Sequence, residues 1–206
     1  MAAALIGWSV VGPRLPSGYR TPAQAAAGSL LALTTRAPVG FRPPAVWAGL
    51  RLGSMAAALA VISIAATTPV PRVRLSMSAR ELPASVPGWL AWQIPVGTVW
   101  AEEAAFRAAL GSMSAQAFGR TGGRLLQAGA FGLSHIADAR AAGEPLLPIV
   151  LVTGLAGWLF GWLAERSGSL LAPILVHLAV NEAGAIAVVA VQRRKWNSSH
   201  GARSRA

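Results

Sequence analysis

Three short patterns set titratable or amide side chains into otherwise apolar runs: Glu102-Glu103…Arg107, Phe131…His135 and His177…Asn181. Glu103 and Arg107, Phe131 and His135, and His177 and Asn181 each stand four residues apart, so on a helix each pair shares a face. A charged side chain in the middle of a membrane helix costs about 2.5 to 3.5 kcal/mol or more, which makes such residues functional candidates by default. Glu103 lies on the N-terminal side of Arg107, the better orientation for a helical ion pair, so these two can neutralise each other. Glu102 is turned about 100° away and shares its face with Phe106, leaving its carboxylate to project separately into the bundle. A poorly solvated carboxylate is a stronger base than an exposed one. Neutral N–H donors aimed at a developing oxyanion act best where water is scarce. Taken singly, each pattern has a plainer explanation: a structural polar cluster, a core histidine beside a phenylalanine, an amide bond between helices. One carboxylate, two imidazoles and an amide on separate membrane helices make a stronger set than any one of them.

The elements that must position these groups are membrane helices. The 206 residues are 54% hydrophobic and 12% charged, and the mean hydropathy is +0.51. The chain has no Cys, which excludes a disulfide scaffold, a thiolate metal site and a cysteine nucleophile. Its 18 Lys+Arg against 7 Asp+Glu give a net charge of +11. The cations sit in short groups between apolar runs, as headgroup-level loops do, rather than on one face as in a nucleic-acid binder. Nucleic acid is therefore not an expected partner; the lipid bilayer is.

Ala45–Val70, Leu146–Ala164 and Leu170–Val191 are long enough and apolar enough to span. Trp89–Met113 is long enough but carries Glu102, Glu103 and Arg107, and Arg124–Ala137 is short. With the short runs Met1–Gly12 and Ala23–Thr35, this predicts an all-α polytopic bundle of about 6 to 8 helices. Met1–Gly12 lacks the positive n-region of a secretory signal and reads as part of a first membrane segment. Residues 1–88 hold N-terminal membrane helices and loops, and residues 192–206 read as a basic, disordered tail. Gly157 and Gly161 allow close helix approach, and Pro95 and Pro173 should kink their segments. If the chain alternates direction, Met113, Arg124 and Leu170 lie at one membrane face, and Glu102, His135 and His177 all fall about 10 to 17 Å below it.

These three patterns, in this order, resemble the CPBP intramembrane proteases (CAAX prenyl proteases and bacteriocin-processing proteins, also called Abi). That family carries EExxxR, then FxxxH, then HxxxN or HxxxD. The stretch Gly157 to His177 is also typical of it, and the likeness covers about residues 89 to 191. It implies peptide-bond hydrolysis within or beside the bilayer, on peptide or membrane-protein substrates. It implies Glu102 as the base that activates water and His135 as a second group holding that water. His177 and Asn181 would stabilise the oxyanion, and Glu103, Arg107 and Phe131 would support the site. No cofactor is expected, although Glu102, His135 and His177 together have the composition of a catalytic zinc site. An Arg-rich, cysteine-free chain points to a prokaryotic cell membrane. A non-catalytic protein of the same fold, acting in bacteriocin-type immunity or as a scaffold, is the alternative. A transporter using the same groups as a proton relay is a third class. Other intramembrane hydrolases fit poorly: there is no HExxH, Asp138 is the only aspartate, and the Gly-x-Ser-Gly elbow is absent.

Overall fold

The computed structural model describes residues 1–203. It is helical throughout, with no strand among the described residues, in agreement with the all-α expectation. In chain order the helices are α1 (Ala2–Val11), α2 (Ser17–Thr34), α3 (Ala45–Thr67) and α4 (Pro71–Ala79). Two widely wound π-type stretches follow, π1 (Trp89–Trp100) and π2 (Glu103–Leu110), and then α5 (Gly111–Ser134), α6 (Ile136–Ala141), α7 (Leu146–Ser167) and α8 (Leu171–Arg203). The tail expected from residue 192 continues α8 as far as Arg203; residues 204–206 lie outside the described residues.

Among the described residues, three helices are long and apolar enough to cross a membrane: Ala45–Thr67, Leu146–Ser167 and Leu171–Arg194. The bundle is inverted relative to a water-soluble one. Leu59, Ile62, Leu147, Leu151, Val152 and Leu155 are exposed, while Glu103, Arg107, Gln127 and His177 are buried. That arrangement suits a lipid-facing shell around a polar interior.

Small residues bring the helices together around that interior. On α3, Gly49 lies against Ser169 and Gly53 against Ala172, a small-xxx-small seam that seats α3 on the start of α8. On α7, Gly157 meets Phe131 and Ala128, and Gly161 meets Gln127 and Arg124, so the pair singled out in the sequence admits α5. Within α5 the chain doubles back at Gly119, where φ is 72° and ψ is 171°, a region open to glycine. Ser114 Oγ donates to the Gly123 carbonyl at 3.1 Å across this reversal, so π2 and the second half of α5 run side by side. α7 stops at Gly168, whose left-handed conformation caps the helix with its amide on the Ala164 carbonyl.

Gly28 of α2 is where the N-terminal helices meet the site. A Cβ there would lie 2.5 Å from the carbonyl oxygen of Ala101, the residue before Glu102. Gly28→Ala is therefore expected to cost about 1 to 3 kcal/mol through overpacking of backbone on backbone. Gly7→Ala, at a position with nothing within 4 Å of the new Cβ, should be neutral or stabilising. Thermal unfolding of the two variants in detergent checks the contrast; equal midpoints would show that α2 does not hold this register.

Candidate active site

The π-type winding places two adjacent carboxylates in different surroundings. π helices are rare and recur at functional sites, and here π1 and π2 flank Glu102 directly. Glu103 is fully buried, whereas the Glu102 side chain keeps 29% of its exposure. The divergence expected from a step of about 100° is thus present, with Glu102 the open member of the pair.

Glu103 ties π2 to α8. Its Oε2 lies 3.3 Å from Arg107 Nε, with both side chains sealed from solvent. Its Oε1 lies 2.8 Å from Nδ1 of His177 on α8. The first contact is the ion pair read from the sequence; the second was not foreseen. The Arg107 guanidinium stands 3.9 Å from the Phe131 ring centroid and 5.0 Å from that of Phe160, a cation–π arrangement that holds it flat. Phe131 thus seats Arg107. Its ring also touches those of Phe106, His135 and His177.

With Nδ1 engaged by Glu103, His177 turns its other nitrogen toward the open carboxylate: Nε2 is 3.8 Å from Glu102 Oε2. This is beyond a direct hydrogen bond and close enough for both groups to address one small reactant between them. Asn181 sits one turn further along α8 and donates Nδ2–H to the His177 carbonyl at 3.0 Å. That bond leaves the second hydrogen of its amide for another acceptor.

His135 closes α5. Its Nδ1 lies 2.7 Å from the Phe131 carbonyl, an orientation in which Nδ1–H donates and Nε2 faces away as an acceptor. His135 and Glu102 line one cavity of about 630 Å³ rather than touching each other. Its remaining wall comes largely from the N-terminal helices, with Leu5 and Trp8 of α1 and Gln24 and Leu31 of α2. The structure thus joins Glu102, Glu103, Arg107, Phe131 and His177 in direct contact, sets Asn181 against the His177 backbone and places His135 across the cavity. Among the described residues, no three His, Cys, Asp or Glu side chains form a group that could hold a metal. The ligand set considered from composition, Glu102 with both histidines, is therefore not assembled here.

Sequence reasoning missed the Glu103–His177 bond, the contribution of Phe160 and the cavity wall built by α1 and α2. Phe160 had a usable signal, since it lies one helical turn from Gly157 on the face already assigned to close packing. Nothing local marks the other two, which join residues far apart in the chain.

Comparison with known proteins bears on the same half of the chain. Residues 84–183 match the model of the family described as type II CAAX prenyl endopeptidase Rce1-like. No curated protein and no solved structure matches the chain.

Proposed function

We propose that this chain, whose residues 84–183 match the model of the type II CAAX prenyl endopeptidase Rce1-like family, is an intramembrane endopeptidase in which Glu102 activates the attacking water. The observation that carries this reading is the His177 ring, fixed by Glu103 at 2.8 Å and facing at 3.8 Å a Glu102 that lines one cavity with His135.

Glu102, with Nε2 of His135 accepting from the same water, takes one proton as the oxygen attacks the scissile carbonyl. The C–O bond forms and the carbonyl π electrons move onto oxygen. His177, as an imidazolium that keeps Nδ1–H on Glu103 and donates Nε2–H, and the free hydrogen of the Asn181 amide stabilise that oxyanion in surroundings where little water competes. Collapse of the intermediate breaks the C–N bond, and Glu102 returns its proton to the leaving amine. Glu103 and Arg107 do not touch the reacting atoms; they hold His177 in place and neutralise each other.

The cavity is largely apolar, which suits an extended peptide or membrane-protein segment arriving from the bilayer. The family's description adds a prenylated CAAX-type C-terminus as a substrate class to test. The experiment is release of fluorescence from a quenched peptide library and from a prenylated CAAX-type peptide, in detergent, by wild-type protein and by Glu102→Gln. Cleavage by the wild type that disappears in the variant supports the reading. Equal signals from the two proteins would overturn it in favour of a non-catalytic member of the fold.

A further inference from the structure

A groove of about 640 Å³ runs between α3 and α8, apart from the cavity that holds Glu102. Ile64 and Ala65 of α3 and Ala183, Ile186 and Ala187 of α8 give it apolar walls, and Arg74 and Arg194 line it as well. Ile186 is exposed, so the groove opens on the lipid-facing shell of the bundle.

The order of residues along the two helices sets both cations at one end. Gly49 of α3 lies against Ser169 and Gly53 against Ala172, so α3 and α8 run in the same direction. Their spans therefore reach the same membrane face, at Thr67 and Arg194. Gln192 of α8 holds α4 at that face: its Nε2 donates to the carbonyls of Met77 at 3.0 Å and Arg80 at 2.6 Å. Arg74 on α4 and Arg194 on α8 are both exposed, which leaves their guanidinium donors accessible. Among the described residues, neither has a hydrogen-bond or ion-pair partner. The chain around this mouth is one-sided in charge, because residues 71–81 and 192–194 carry Arg72, Arg74, Arg80, Arg193 and Arg194 against Glu81 alone. The groove's one carboxylate belongs to Glu182. It precedes Arg194 by twelve residues, which puts it about 18 Å deeper along the helix and out of reach of the mouth.

An apolar trough that ends in open arginines at headgroup depth has the layout of an amphiphile with a hydrocarbon tail and an anionic head. A soluble anion would leave the walls uncovered, and a plain hydrocarbon would leave the arginines unmatched. We propose that the groove holds an acyl chain of an anionic phospholipid whose phosphate rests on Arg74 and Arg194. Forked guanidinium donors suit phosphate oxygens, and basic pockets between membrane helices attract anionic head groups. The peptidase reading plays no part in this, since none of these residues belongs to the candidate active site and lipid is counted without substrate.

The full-length protein in non-ionic detergent is titrated with phosphatidylglycerol and with phosphatidylcholine of the same acyl chains, and native mass spectrometry counts the adducts. One saturable phosphatidylglycerol adduct is expected, retained about tenfold or more over phosphatidylcholine. Arg74→Gln and Arg194→Gln should each weaken it by about fivefold, and together they should erase the preference. Ala183→Trp, which fills the groove, should remove the adduct. Glu182→Gln should leave the preference unchanged, because the selective end is the cationic one. Equal retention of the two lipids would overturn the proposal, as would a preference that survives the double arginine variant or follows Glu182 instead. A dimer that Ala183→Trp dissociates, with lipid retention unaltered, would assign the groove to a second copy of the chain and overturn it too.

Discussion

Glu102→Gln is expected to reduce peptide cleavage by about 10² to 10⁴-fold, the range typical of losing a general base, while the thermal midpoint stays that of the wild type. The substitution keeps the side chain's volume and removes only its basicity. Glu102 can tolerate this because it holds nothing together: its side chain is partly open to the cavity, and its nearest charged contact is His177 Nε2 at 3.8 Å. The loss should fall on kcat and on kcat/KM together, with KM little changed, since the proton is taken only in the transition state. Steady-state cleavage and thermal unfolding on the same preparations decide the matter. A variant that retains wild-type turnover would remove Glu102 from the chemistry. One that unfolds would make it structural.

The two glutamates show how far the sequence can be read and where it stops. Helical periodicity separated Glu102 from Glu103 and paired Glu103 with Arg107, because i,i+4 geometry is local and needs no knowledge of the neighbouring helices. Hydropathy likewise revealed the membrane bundle and the three helices that meet the spanning requirement. It did not resolve how the rest is wound. Trp89–Met113 becomes π1, π2 and the start of α5, and Arg124–Ala137 becomes the returning half of α5 with α6, divided from α5 at His135. Polar groups placed there for the site dilute their apolar character. What periodicity cannot report is which helix a polar face meets. The Glu103–His177 bond joins residues 74 apart, and its length depends on π winding that no spacing rule anticipates. The same holds for α1, only ten residues long and too short to span at 1.5 Å per residue. Its sequence gave no hint that Leu5 and Trp8 would wall the cavity before Glu102 and His135.

Glu103→Gln should behave in the opposite manner to its neighbour, losing stability and activity together. The substitution strands Arg107 as an unpaired cation inside the bundle, and breaking a buried pair by removing one partner typically costs about 3 to 5 kcal/mol. Replacing Glu103 and Arg107 together, with Gln and Met, removes the stranded charge and should recover part of that loss. The Glu103–His177 contact at 2.8 Å distinguishes the two readouts. The double variant regains a thermal midpoint but still lacks the carboxylate that orients His177, so cleavage should stay low even as stability returns. Full recovery of both would mean that Glu103 serves only to neutralise Arg107. A stable, inactive Glu103→Gln beside an active Glu102→Gln would mean that the base and the positioning carboxylate are exchanged. The outcome in which stability returns and cleavage does not is the one expected of a carboxylate that fixes an imidazole for work on the far side of its ring.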